Sequence, residues 1–172
     1  AELKTLWKAW DAAPANADVL VSKRMILALR LQLLTLTRAG DVSGIHEREV
    51  DTAARSWTIP AERFKSGRDH TVPLSPAAWG VLLEIFGPDP DKWKGYGFPN
   101  ARDADKPMER RSLTKAMSRV ITDAKMVRAT PHDLRRTGAT YLASERISSA
   151  PHVVTAVLGH SPHRQIVHTK IE

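Results

Sequence analysis

The sequence predicts a mainly α-helical fold with one small antiparallel β-sheet, and three observations carry that prediction. Residues 19–36 form a Leu-rich, mostly apolar run long enough for a buried helix. Between residues 50 and 74 the pattern changes period: Trp57, Ile59 and Pro60 precede the polar turn Lys65-Ser66-Gly67-Arg68-Asp69, and His70, Thr71, Val72, Pro73 and Leu74 follow it. Two short β-rich runs about a Ser-Gly turn make a hairpin or small antiparallel sheet. The third observation is a helix-start signature, a hydroxyl residue followed by proline, at Ser75-Pro76 and again at Thr130-Pro131.

The elements then follow in order. Asp18 stands where it would cap the first long helix, which has Lys23, Arg24 and Arg30 for its wetter side and ends near Thr37, Arg38 and Gly40. After the sheet, Ser75 caps a helix running to about Phe86. Residues 87–106 are rich in Gly, Pro and charge and read as a long surface loop. Ser112 is expected to cap a helix through about Lys125, and Thr130 one that reaches roughly Arg146. A last helix spans residues 150–158, with Gly159 placed to end it because glycine tolerates a left-handed backbone. The sum is five or six helices and one sheet, with no internal repeat.

Composition narrows the function classes. A chain of 172 residues, 42% hydrophobic, is one domain with material for a real core, which argues against intrinsic disorder. It has no cysteine, so a disulfide framework, a thiolate metal site and a thiol nucleophile are all excluded, and a cytoplasmic location fits. The longest apolar stretch, residues 25–36, is interrupted by Arg30 and Gln32 and falls short of the roughly 20 residues a membrane helix needs. Glu2, Lys4 and Lys8 break any signal-peptide pattern, and the absence of an initiating Met suggests a start inside a longer protein. Lys and Arg outnumber Asp and Glu by 26 to 19, a net +7 that favours polyanionic partners, nucleic acid among them.

Candidate chemistry concentrates in a few segments. In Thr130-Pro131-His132-Asp133-Leu134-Arg135-Arg136-Thr137, a helix from Pro131 puts His132 and Arg135 on one face near its N-terminus, the end that favours anions. The plainer reading is a satisfied polar His and a surface Arg. Arg38 ends the first apolar run ahead of Ala39, Gly40 and Asp41; a nearby carboxylate can fix such an Arg so that its fork meets two phosphate oxygens, although it also suits a simple helix-ending cation. Lys65 sits in the hairpin turn, where a long ammonium can swing towards a substrate or merely be solvated. His160, in Leu158-Gly159-His160-Ser161, lies just beyond a helix end. His160, His163 and His168 also raise a metal site, but their loose spacing, the intervening Pro162 and the lack of nearby carboxylates make metal the weaker explanation.

Taken in order, these segments resemble the catalytic domain of the tyrosine recombinase (phage integrase) family, whose motif order is Arg, Lys, H-x-x-R, His, Tyr. The matching residues are Arg38, Lys65, His132 and Arg135, and His160. The stretch Trp57-Thr58-Ile59-Pro60 through Phe64-Lys65-Ser66-Gly67, then His70-Thr71-Val72-Pro73-Leu74-Ser75, is similar to integrases of prophages and genomic islands, that is, of mobile elements. Gly97-Phe98-Pro99 resembles the stretch preceding the family's second Arg box. The resemblance runs from about residue 20 to residue 172. It implies an integrase-type catalytic domain acting on double-stranded DNA, without metal or nucleotide cofactor, and compatible with a homo-oligomer on DNA.

In that family a Tyr hydroxyl attacks a DNA phosphodiester, leaving a 3′-phosphotyrosine and a free 5′-hydroxyl. By resemblance, Arg38 and Arg135 stabilise the charge gained by the non-bridging oxygens, Lys65 protonates the departing 5′ oxygen, and His132 and His160 bind phosphate oxygens and assist proton movement. The resemblance breaks at the nucleophile. His168 falls near the position where Tyr is expected, and the chain has just two tyrosines, Tyr96 in the long loop and Tyr141 six positions after Arg135. Six residues turn Tyr141 about 240° round the helix from Arg135, which assigns it a packing role.

Three explanations follow: divergence to an inactive domain, an engineered substitution, or a Tyr displaced beyond Glu172. The family's N-terminal core-binding domain is also missing from residues 1–172, so the chain reads as a fragment holding one integrase-like catalytic domain. The expected function is site-specific recombination by strand cleavage and rejoining, with this chain inactive as written if the Tyr is truly lost. The alternative is a noncatalytic DNA-binding or regulatory module that keeps the fold.

Overall fold

The computed structural model describes residues 2–160. Seven α-helices and three strands are present among them, with three short 3-10 turns between: α1 (Glu2–Ala12), α2 (Lys23–Thr35), α3 (Ala39–Ser43), β1 (Val50–Asp51), β2 (Ser56–Ile59), β3 (His70–Pro73), α4 (Pro76–Phe86), α5 (Arg110–Asp123), α6 (Pro131–Leu142) and α7 (Pro151–Val157). This is the mainly α fold with a small antiparallel sheet that the sequence predicts.

Helix α2 is the hub. Its residues Ile26, Leu27, Ala28, Leu29, Leu31, Gln32 and Thr35 are buried on all sides, as expected of a helix enclosed by others, and α3, α4, α5 and α6 all pack on it. Its cap is Ser22, whose hydroxyl accepts from the Met25 amide at 3.4 Å, and not Asp18. Asp18 instead belongs to an Asx turn, its own amide donating to Asn16 Oδ1 at 3.0 Å. The helix ends on Leu36, which is in the left-handed region (φ 53°) and turns the chain into α3.

The sheet has the order β1-β2-β3, all antiparallel. Trp57 faces Val72 and Ile59 faces His70, so alternate residues reach the core, while Thr58 and Thr71 pair on the other face with hydroxyls 2.9 Å apart. Ser75 caps α4 as expected, accepting from the Ala78 amide at 3.2 Å. Helix α5 buries Leu113, Ala116, Met117, Val120 and Ile121, an apolar stripe at helical spacing. It begins at Arg110, two residues before the expected cap: the Ser112 amide already bonds the Glu109 carbonyl at 2.9 Å, which places Ser112 inside the first turn.

Helix α6 stops at Leu142, short of the expected Arg146. Beyond it the Ser144 and Ser148 hydroxyls donate to the Tyr141 and Glu145 carbonyls, a local competition that breaks the helical ladder. Tyr141 is 50% exposed, so the packing role read from the sequence is overturned: the face opposite Arg135 points to solvent.

Candidate functional site

Arg135 is placed by the α6 start. Pro131 occupies the first turn, where its missing N–H costs nothing, and the Asp133 carboxylate accepts from the Thr130 amide at 2.9 Å and the Thr130 hydroxyl at 2.7 Å. Those two bonds hold the Asp133 carboxyl below its usual range. Gln32, buried on α2, donates to the Pro131 carbonyl at 2.8 Å and ties the helix start to the hub. Further along, Gly138 meets Leu36 so closely that a Cβ there would lie 2.1 Å from Leu36 Cδ2. Arg135 is consequently 4% exposed, the opposite of a surface cation.

Its guanidinium is spoken for on both arms. One nitrogen donates to the Leu36 carbonyl and the other to the Leu158 carbonyl at the end of α7, and the second also lies 3.4 Å from His160 Nε2. Burial, then the neighbouring Arg38 charge, push the Arg135 pKa down to about 10, against the pull of Asp41, which still leaves it charged at neutral pH. Partial burial and then the charges of Arg135, Arg38 and Lys65 hold His160 below the ordinary imidazole range.

Arg38 begins α3. Asp41 accepts its backbone amide at 3.0 Å and lies 4.0 Å from its guanidinium Nη1. Four ångströms is an ion pair and not a hydrogen bond, so buried Nη1 remains a donor without an acceptor among the described residues. The guanidinium lies over the Phe64 ring at 4.8 Å from its centroid, and Phe64 stacks on His70 at 4.6 Å. Gly159, with φ +57°, packs against the same two rings; a Cβ there would fall 2.4 Å from Phe64. His70 is held below its ordinary range by burial and then by Arg135, with Asp41 and the Val157 backbone pulling the other way. Burial raises Asp41 despite its bond to the Arg38 backbone and the Arg38, Arg63 and Arg135 charges.

A groove of about 780 Å³ opens beside Arg38. It is lined by Arg38, Arg63, Lys65, Arg110 and His132, with Asp41 as the one carboxylate among the described residues that line it, a setting that attracts an anion. Arg38, Lys65 and His132 thus share one groove, and Arg135 and His160 touch each other next to Arg38. His132 is exposed on the first turn of α6. Lys65 is exposed in the excursion 60–69 between β2 and β3, a longer loop than a tight hairpin turn. His163 and His168 lie outside the described residues, and so does the metal reading that involves them. Tyr96 lines a separate cleft, its ring edge-on to His46 at 4.7 Å.

Sequence reasoning did not single out Arg63 or Arg110, and named Phe64 and His70 as parts of a matching stretch without a role at the site. Their signal was slight: Arg63 and Phe64 stand immediately before Lys65, but nothing in their spacing shows that one turns back to the sheet and the other beneath Arg38.

The fold is that of the tyrosine recombinase catalytic domains. The crystal structure of XerA recombinase matches 92% of this chain and 54% of its own with a TM-score of 0.68 at 20% identity. A Tn1549 transposon integrase in complex with a circular intermediate DNA matches 91% and 56%, with a TM-score of 0.71 at 14% identity. The sequence model of the phage integrase family matches residues 2–169, and the chain belongs to that family. It is 35% identical over 129 residues to the prophage integrase IntA of Escherichia coli (strain K12), and 31% identical over 135 residues to the prophage integrase IntZ of the same organism. Those alignments cover 75% and 78% of this chain but 30% and 32% of the relatives, so the chain spans about a third of the curated proteins it matches.

Proposed function

We propose that this chain is the catalytic domain of a cytoplasmic site-specific DNA recombinase, working with a separate core-binding domain on double-stranded DNA. The observation that carries the reading is the pairing of Arg135 and Arg38. One guanidinium is locked on the Leu36 and Leu158 carbonyls, and the other starts two residues beyond Leu36 with a buried donor that has no acceptor among the described residues. A phosphodiester seated in the groove would find a fixed positive field from Arg135 and hydrogen bonds from Arg38. Both strengthen as the phosphorus becomes pentacoordinate and its non-bridging oxygens gain charge.

In the reaction, a tyrosine hydroxyl forms a bond to phosphorus and the bond from phosphorus to the 5′ oxygen breaks. Lys65 delivers a proton to that oxygen, while His132 and His160 contact phosphate oxygens and accept or relay the tyrosine proton. Neutral His160, favoured first by its burial and then by its cationic neighbours, can take the accepting role. The covalent linkage conserves the phosphodiester's energy, so another 5′-hydroxyl reverses the step without a nucleotide cofactor. Protomers paired on DNA would complete an exchange; the Tn1549 integrase and a lambda integrase tetramer were solved on DNA, the latter on a Holliday junction.

The test is a nicked suicide duplex carrying the target site, mixed with the intact protein and with this chain, with and without His168→Tyr. A covalent adduct on a denaturing gel that disappears in Arg38→Ala and Arg135→Ala supports the reading. The second reading, a noncatalytic DNA-binding module, is motivated by His168 in the nucleophile's window; it predicts salt-sensitive binding and no adduct from the intact protein.

A further inference from the structure

Lys65 presents a physical problem. Its side chain is exposed, and the loop 60–69 that carries it projects between β2 and β3, with the buried Phe64 ring, under Arg38 and stacked on His70, as its apolar attachment to the body. Within the loop, the Arg63 and Phe64 amides both bond the Pro60 carbonyl at 3.0 Å, the Gly67 amide bonds the Phe64 carbonyl at 2.9 Å, and Asp69 closes the base by accepting the Ala61 amide at 2.8 Å. These bonds shape the loop without fixing it to the rest of the molecule. A ring contact holds the loop without fixing its direction, and a lysine on a loop so held would reach an oxygen in the groove only part of the time.

The directed, hydrogen-bonded tether is Arg63. Its Nη2 donates to Glu49 Oε2 at 2.5 Å and its Nη1 donates to the Asp41 carbonyl at 3.3 Å. Glu49 is itself held: the same Oε2 accepts the Trp57 indole N–H at 3.1 Å and the His46 amide at 3.4 Å, and its side chain is 8% exposed. Trp57 is fully buried in β2. One arm of the fork therefore grips a carboxylate fastened to the sheet, and the other grips α3, the helix that begins with Arg38. Gly44 makes room for this: a Cβ there would lie 2.2 Å from Arg63 Nη1.

We propose that Arg63, anchored on Glu49 and seated against Gly44, is a positioning residue that fixes the loop bearing Lys65 to the helix bearing Arg38. It sets the distance between the proton donor and the phosphate clamp. The inference rests on the reading of Lys65 as the proton donor to the 5′ oxygen. A planar fork suits the task because it makes directed bonds to two acceptors at once, which the single ammonium of lysine cannot.

Three variants probe it: Arg63→Lys, Glu49→Gln and Gly44→Ala. The last displaces the fork without removing a charge, and because the crowded atom is the tip of a flexible side chain it leaves the fold intact should either of the others fail to fold. In the chain alone, hydrogen exchange of the amides in 61–69 is expected to quicken by about tenfold in Arg63→Lys and Gly44→Ala, while exchange in α2 and α4 stays unchanged. Unchanged exchange in 61–69 overturns the tether, whatever the protein does to DNA.

In the intact protein, single-turnover cleavage of the nicked duplex is expected to slow by about tenfold or more, approaching the range for a lost general acid, with duplex Kd within about threefold. The deciding comparison replaces the bridging 5′ oxygen with sulfur, whose thiolate leaves without a proton. On that substrate the variants should cleave within about threefold of the parent. An equal defect on both substrates would instead make Arg63 a direct phosphate contact and overturn the proposal. If the parent cleaves neither substrate, the recombinase reading fails, and the exchange measurement still decides the tether.

Discussion

Arg135 and Lys65 serve one cluster and are held in opposite ways. Arg135 is buried, bonded to two carbonyls, and carried by a helix capped at its start and pressed on the hub at Gly138. Lys65 stands in solvent on a loop held to the body through Arg63 and the buried Phe64 ring. The difference matches the demands of the two roles proposed for them. A charge that stabilises a transition state works best when it does not reorganise, whereas a group that hands over a proton must move along the reaction.

The sharpest way to break that contrast is Arg135→Ala. It strands two buried carbonyls as well as removing the charge, so it should cost about 2–5 kcal/mol of stability, read by denaturant titration, and lower adduct formation by about a hundredfold or more. Lys65→Ala should separate the two properties: stability within about 0.5 kcal/mol of the parent, with single-turnover cleavage down by about a hundredfold or more.

A pH series sharpens the comparison from the buried side. Burial and Arg135 hold His70 below its ordinary 6.5, and the same causes lower His160, so the folded state prefers both neutral. The stability linked to them is complete above about pH 6.5 and is lost as pH falls from there through the lower folded values. Thermal melts from about pH 7.5 to about pH 5 should show a drop that is smaller in His70→Gln. The smallest expected effect is Asp133→Ala, which removes the acceptor for the Thr130 amide and hydroxyl; it should cost about 1 kcal/mol, a shift of a few degrees in Tm.

Much of this arrangement was legible in the sequence because it is encoded locally. Ser75-Pro76 and Thr130-Pro131 mark helix starts through bonds made within four residues, and both starts fall where expected. The Leu-rich run betrays the hub because a helix packed by four others needs apolar residues around most of its circumference, with Lys23, Arg24 and Arg30 as its few wetter positions. What failed was decided by competition between neighbours: Ser22 lay closer to the helix start than Asp18, and the serines after Leu142 drew backbone carbonyls out of the ladder. Within the site, the ordered motif pointed to Arg38, Lys65, His132, Arg135 and His160; the structure lines one groove with Arg38, Lys65 and His132 and sets Arg135 against His160, and their roles are those proposed above. The partners that orient them were hidden, since Glu49 meets Arg63 and Phe64 meets Arg38 through tertiary contacts with no fixed spacing along the chain.

The left-handed Leu36 has a consequence beyond turning a corner. Its carbonyl receives Arg135, and two peptide units later the chain reaches Arg38, so the separation of the two guanidiniums is geared to one pair of backbone torsions. A β-carbon in that region is strained by roughly 1 kcal/mol, and the leucine side chain wedged on Gly138 keeps it there. A lineage that relaxed this hinge to glycine would relieve the strain and lose the gauge that spaces its arginines.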